Sequence, residues 1–241
     1  LICERYIIVQ PPAYALQFLV AVQSTVPVDA CIQADGYDTS TFIPAVLNAY
    51  ATEGVQWTMP YNVSNPVLFY SRKAFVAAGL DPDKPPLTLA EVSEHGKQIQ
   101  ATGAGSYGLA IDTPPAGGGG SFIEQWLGKE GELYSDNDNG RSAPSTKVLW
   151  NSPLTVDLLS ELRSVITDGG GVYVGENPSG QDTLLKLADA QQPATMAITT
   201  SAAIGPVLQF IEGGIIPGFT NADLGIGPMP SPSGNPGATV G

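Results

Sequence analysis

The sequence predicts an α/β fold, and three observations predict it. Short apolar runs with the look of strands alternate with segments whose apolar residues recur at helical spacing, the signature of helices layered on a sheet. Glycine and proline, 28 and 21 residues of 241, punctuate the chain often enough to keep every element short. Hydrophobic residues make up 43% and charged residues 14%. A compact chain of this size buries roughly 70% of its unfolded surface, so a substantial core is available.

Taken in order, "RYIIVQ" reads as a strand stopped by Pro11 and Pro12. "AYALQFLVAV" reads as a helix that Pro12 can open. "VDACIQADGYDTSTF" reads as a loop turning at Asp35-Gly36, "TSTFIPAVLNAYA" as a short helix, and "EGVQWTMPYN" as a turn and strand. Val67 to Tyr70 is a continuous apolar run, as in a strand covered on both faces. Ser71 can cap the helix "RKAFVAAG", which Gly79 ends. Thr88 and Glu91 form a Thr-x-x-Glu capping box for a helix that ends near Gly103. "SYGLAIDT" is a strand, "PPAGGGG" a loop and "SFIEQWLGKEG" a helix. Leu154, Leu158, Leu162 and Val165 form the stripe of an amphipathic helix between Pro153 and Gly169. "GQDTLLKLADAQ" is a helix and "ATMAITT" a strand. "SAAIGPVLQFIEGG" is a helix starting at Ser201 and bending at Gly205-Pro206, and "DLGIGPMPSPSG" is a short strand.

The charge is lopsided: 23 acidic against 10 basic residues, net −13. That excludes nucleic acid, whose binding rests on Lys/Arg contacts to phosphate, and adsorption to anionic membranes. No apolar run reaches the roughly 20 residues of a membrane span. No signal peptide is visible, so the targeting segment of an exported protein lies outside this sequence. A disulfide between Cys3 and Cys31 would be worth about 3–4 kcal/mol in the chain-entropy model, and two buried thiols are the alternative. Two cysteines and the single histidine, His95, make no metal pattern, and no cofactor motif is present. His95 falls on a polar helix face and reads as a surface residue. "DNDNG", Asp136 to Gly140, misses the calcium-loop spacing and reads as a solvated turn. "GGGG" lacks the following Gly-Lys-Ser/Thr of a phosphate loop. Asp112, at a strand end, and Glu124, on the following helix, would flank a glycosidic bond in the alternative reading, a carbohydrate-acting hydrolase, and surface carboxylates are their ordinary use.

Polar groups suited to a small ligand stand in two places. Asn62, Ser64 and Asn65 lie on the bend before an apolar strand. Thr199, Thr200 and Ser201 lie where a strand passes into a helix, whose first amides are free for a ligand oxygen. Simple N-capping is the other use of Ser201. Trp57, Tyr61, Phe122 and Trp126 can supply an aromatic face for the C–H side of a sugar, or pack in the core.

"YNVSNPVLFYSRKAFVAAGLDPDKPPLTLAE" resembles the hinge-crossing segment of the family 1 extracellular solute-binding proteins, receptors of carbohydrate ABC importers. "ATMAITTSAAIGPV" and "DLGIGPMPSPSGNPGATVG" follow as that family's next landmarks, and the glycerol-3-phosphate/glycerophosphodiester branch is the most similar. The resemblance, from about Ser24 to Gly241, implies a two-lobed periplasmic-binding-protein type II architecture with most of one lobe missing. Residues 1–62 would be the remnant of lobe 1 up to the hinge, and 63–241 lobe 2 up to the second crossing. Ser64, Thr200, Ser201 and the Gly241 backbone would contact ligand, joined by Asn62 and Asn65 of the bend and by Trp126. Where this branch often carries a tryptophan before the "FIEQWLG" helix, this chain reads "GGGGS". The implied protein is a monomeric extracytoplasmic subunit, periplasmic or lipid-anchored. It captures a sugar, polyol or glycerophosphodiester by hinge closure without chemistry, and delivers it to membrane permease subunits.

Overall fold

A computed structural model of the protein describes residues 19–20, 22–23, 25–61, 63–112, 122–175 and 182–235. The strand "RYIIVQ", most of the following helix, the "PPAGGGG" loop, Asn62, Gly241 and Cys3 lie outside those residues. The chain divides into two compact units. One comprises Leu1–Val63, Leu133–Trp150 and Val240, and the other Ser64–Glu132, Asn151–Thr239 and Gly241.

In the first unit, α1 runs Asp29–Asp35 where the sequence suggests a loop. Asp29 in its first turn suits the helix dipole, and Gly36, at φ 61°, supplies the left-handed C-terminal cap that ends it. The short helix read in this stretch is α2, Pro44–Ala49, whose proline stands in the first turn, where its missing N–H costs nothing. Strands β1 (Ala51–Thr52) and β2 (Val55–Gln56) form a hairpin through Glu53 and Gly54, both at positive φ. Two successive positive-φ residues are what a tight hairpin turn needs. Cys31 is disulfide-bonded, and the only other cysteine in the sequence is Cys3.

The Asp136–Gly140 stretch is more unusual than a solvated turn. Asn137, Asp138 and Asn139 all lie in the left-handed region, at φ 54°, 56° and 54°. That region carries a steric cost for any residue with a Cβ, smallest for Asn and Asp. Side chains hold the turn against that cost. The Asp136 carboxylate accepts from Thr146 N, Thr146 Oγ1 and Lys147 N at 2.6–3.0 Å. Asn139 Oδ1 accepts from Tyr134 N and Ser135 N, and Asn137 Nδ2 donates to Pro144 O. Those bonds hold the Asp136 carboxyl below the ordinary aspartate range.

The second unit is built on a mixed five-stranded sheet of β3 (Pro66–Ser71), β4 (Tyr107–Ile111), β5 (Val172–Tyr173), β6 (Ala194–Thr200) and β7 (Leu224–Pro228). Its spatial order is β5-β4-β6-β3-β7, with β4, β5 and β6 parallel and β3 antiparallel to both neighbours. Leu68, Phe69 and Tyr70 are consecutive and all buried, so both faces of β3 are covered, as the apolar run requires.

Among the described residues six helices complete the unit: α3 (Arg72–Ala77), α4 (Leu89–Thr102), α5 (Phe122–Lys129), α6 (Pro153–Thr167), α7 (Asp182–Leu187) and, after the end of β6, α8 (Ile204–Glu212). Ser71 Oγ accepts from Ala74 N at the start of α3. The Thr88/Glu91 box forms in both directions at the start of α4, and Gly103 ends that helix at φ 72°. Ser152 caps α6. Leu158 and Val165 of α6 join Leu68, Val92, Leu109 and Met196 in the core. Helix α8 does not bend at Gly205-Pro206. Residues Ser201–Ala203 form a 3-10 turn instead, so Pro206 falls in the first turn of the helix proper, where its missing N–H costs nothing.

His95 is no surface residue. It is half-buried on α4, edge-on to the Phe75 ring at 5.5 Å between centroids, and its buried Nδ1 has no hydrogen-bond partner among the described residues. Burial lowers its pKa from 6.5, outweighing the attraction of Glu91 and Glu94, which pulls it up. The folded state therefore binds this proton less readily than the unfolded chain. Its contribution to stability is full above pH 6.5 and is lost as pH falls from there to the folded pKa. The single imidazole gives one titrating ring signal in proton NMR, with an expected midpoint below 6.5. His95→Leu is expected to flatten the acid-side fall of urea stability. A midpoint above 6.5 contradicts the buried environment.

Candidate ligand-binding end of the sheet

Strand register gathers the polar positions. Pro66 at the start of β3 pairs with Thr200 at the end of β6, because the two strands are antiparallel. β4 runs parallel to β6, and Ile111 at its end pairs with Tyr173 at the end of β5. The ends of β4, β5 and β6 and the start of β3 therefore share one end of the sheet, the place where open α/β sheets bind ligands.

At that end two segments far apart in sequence are fastened together. Asn65 N donates to Ser201 Oγ at 3.1 Å, and Ser201 N donates to Asn65 O at 2.8 Å. Ser201 keeps its hydroxyl proton as a donor, since Oγ accepts in this pair. Asn65 Oδ1 is a buried acceptor with no partner among the described residues. The helix cap is Thr200 and not Ser201: Thr200 Oγ1 accepts from Ala202 N at 3.3 Å. Ser64 lies one residue away on the same bend and is half-buried. Thr199 is buried within β6.

Trp126 departs from the expectation of a ligand contact. It is 3% exposed, belongs to the core, and its Nε1 donates to Pro230 O at 2.7 Å. Its position on α5 turns the ring inward, so it has no free face for a sugar. Tyr173, which sequence reading passed over, is 45% exposed at the relevant end of the sheet. A two-residue strand between glycines offers no periodicity by which to find it. Asn62 and Gly241 are outside the described residues, and nothing is described of the Phe122 side chain.

The carboxylate pair is unequal: Asp112 is 2% exposed beyond the end of β4, while Glu124 is exposed on α5. A glycosidase offers both carboxyls to the scissile bond. The Asp136 carboxylate already serves three protein donors. Among the described residues no group of three His, Cys, Asp or Glu is placed to hold a metal, and no helix is long and apolar enough to cross a membrane. The first unit carries a hollow of about 360 Å³ lined by Val28, Cys31, Ile32, Tyr37, Phe42 and Met59, among others. None of the expected ligand residues lines it.

The sn-glycerol-3-phosphate-binding periplasmic protein UgpB of Brucella abortus is 29% identical over 237 residues, covering 92% of this chain and 49% of that protein. The chain thus spans about half the length of the curated relatives it matches. Among solved structures, the GacH receptor of Streptomyces glaucescens matches at a TM-score of 0.69 and 16% identity, over 95% of this chain and 53% of that one. UgpB from Mycobacterium tuberculosis, solved in complex with glycerophosphocholine, matches at a TM-score of 0.65 and 21% identity, over 92% and 53%. These likenesses show the fold: about half of a type II periplasmic binding protein. The model of the bacterial extracellular solute-binding proteins matches residues 12–241, and the chain belongs to that family.

Proposed function

We propose that the chain is part of the extracytoplasmic substrate-binding subunit of an ABC importer, which captures a sugar, polyol or glycerophosphodiester and releases it unchanged to permease subunits. The observation that carries this reading is the fastening of Asn65 to Ser201 at one end of the sheet. It leaves a hydroxyl donor and an amide side chain side by side, the pair of functions that a polyhydroxylated ligand takes up. Ser64 and Thr200 flank them, and Asn62 and Gly241 would extend the same contacts. Residues 1–62 would belong to lobe 1, joined by Leu133–Trp150 of the same compact unit, and the rest of 63–241 to lobe 2, with the crossing just before β3. The periplasmic relatives and their names as binding proteins support placement outside the cytoplasm and capture without chemistry.

Isothermal titration of the purified chain with glycerol-3-phosphate, glycerophosphocholine and maltose tests the reading, with mass spectrometry of the recovered ligand. One ligand is expected to bind and return intact. Ser201→Ala is expected to weaken it about ten-fold, the loss of one well-made hydrogen bond to a buried partner. Unchanged affinity in Ser201→Ala removes the site assignment, and cleaved ligand removes the reading of capture without chemistry.

A further inference from the structure

We infer that Asn139-Gly140 is a latent deamidation site, which the left-handed turn protects while it is closed. Conversion needs only water. The Gly140 backbone nitrogen attacks Asn139 Cγ and gives up its proton to solvent, the new C–N bond closes a five-membered succinimide, and the side-chain nitrogen leaves as ammonia. Water then opens the ring at either carbonyl, giving aspartate or isoaspartate. Glycine in the following position leaves the attacking nitrogen unhindered, since it has no Cβ.

The turn withholds this chemistry in two ways. Ring closure requires the Gly140 nitrogen to swing to the Cβ side of the Asn139 Cα–C bond. At φ 54° and ψ 37° it lies on the opposite side. The side-chain amide is also tethered, because Asn139 Oδ1 accepts from Tyr134 N at 2.8 Å and Ser135 N at 2.9 Å. Turning Asn139 into the reactive conformation breaks both bonds and the Arg141 N to Asp138 O and Ser142 N to Asn137 O bonds beside it. The Asp136 carboxylate clamps the far side of the same turn onto Thr146 and Lys147. Reaction therefore waits for local opening, and its rate reads the open population. The product matters. An aspartate at 139 still accepts the two N–H groups, whereas isoaspartate lengthens the backbone by one carbon and cannot keep the turn.

Peptide mapping by mass spectrometry of the full chain, aged in mildly alkaline buffer with and without urea, tests this. Modification at residue 139 is expected to be at least about ten-fold slower in the folded chain than in the unfolded one. Asp136→Ala removes three bonds to a carboxylate and is expected to raise the folded-state rate about ten-fold. Thr146→Val removes one bond and is expected to give a smaller rise in the same direction, which keeps the test alive if Asp136→Ala does not fold. Equal rates in folded and unfolded wild-type chain overturn the proposal, as does a Thr146→Val rate no higher than wild type.

Discussion

Gly96→Ala is expected to destabilise the chain by about 3 kcal/mol or more, in a position where helix propensity alone predicts the opposite sign. Gly96 sits inside α4 with ordinary helical geometry, so alanine there should gain about 1 kcal/mol. Packing reverses this. A Cβ on Gly96 overlaps the carbonyl oxygen of Gly169 and stands 3.3 Å from Gly108 Cα on β4. A Cβ on Gly108 would reach Gly96 Cα at 2.5 Å. Helix and strand meet backbone to backbone, and the third party, the Gly169-Gly170 turn, is fixed by the bond from Gly108 N to Gly170 O at 2.7 Å. No flexible side chain is available to yield, so α4 must lift from the sheet. Leu89, Val92 and Ile99 on the same helix face are fully buried and lift with it. Urea denaturation of Gly96→Ala and Gly108→Ala checks this, with both midpoints falling well below wild type. A Gly96→Ala midpoint above wild type means that propensity outweighs packing and the close approach is wrong.

The parts of this fold that the sequence made legible are those fixed by neighbours. Ser71, Thr88 with Glu91 and the closing Gly79 and Gly103 all act within a turn of their own helix, so residue identity and spacing suffice. The apolar run of β3 was readable because burial on both faces leaves no alternation. What depends on the partner was not readable. The strand β7 was legible, but why position 225 must be glycine was not until Tyr70 was placed across from it. Trp126 could as well have faced a ligand as the core until Pro230 was found against its indole N–H. His95 reads as polar on a helical wheel, yet Phe75, twenty positions earlier, covers it. The Asn65–Ser201 fastening spans 136 positions. The two polar bends could each be picked out as local chemistry, but only the antiparallel register of β3 and β6 brings them to one place. The α1 helix was missed for a related reason: it is under two turns long and none of its residues is buried, so periodicity was silent and only the cap at Gly36 marked it.

Gly225→Ala is expected to cost a further about 3 kcal/mol by a different route, a ring where Gly96 met backbone. Gly225 on β7 lies directly opposite Tyr70 on β3. A Cβ on Gly225 would overlap the hydroxyl end of the Tyr70 ring, at Cζ, Cε1 and Cε2. The ring is not free to turn away. It is 3% exposed, packs 4.8 Å from the Phe75 ring, and donates its hydroxyl proton to Pro82 O at 2.8 Å. Arg72 Nη1 donates to the same carbonyl, so the "LDPDKPP" turn is anchored on the ring and moves if the ring moves. Burial also raises the Tyr70 pKa, which keeps the phenol neutral and able to donate at physiological pH. A double-mutant cycle separates this clash from a general weakening of β7. In a Tyr70→Leu background the space above Gly225 is open, and Gly225→Ala is expected to cost under about 1 kcal/mol there. An undiminished cost in that background would place the obstacle in the backbone of β7 itself. The distinction bears on the site, because β3 carries both burdens: at its far end it holds Asn65 against Ser201, and here it holds the turn that follows α3. A ring displaced at Tyr70 pulls on the strand whose register with β6 sets the Asn65–Ser201 pair. Ligand affinity is therefore expected to fall in Gly225→Ala beyond what the unfolded fraction explains, and to recover in the double variant.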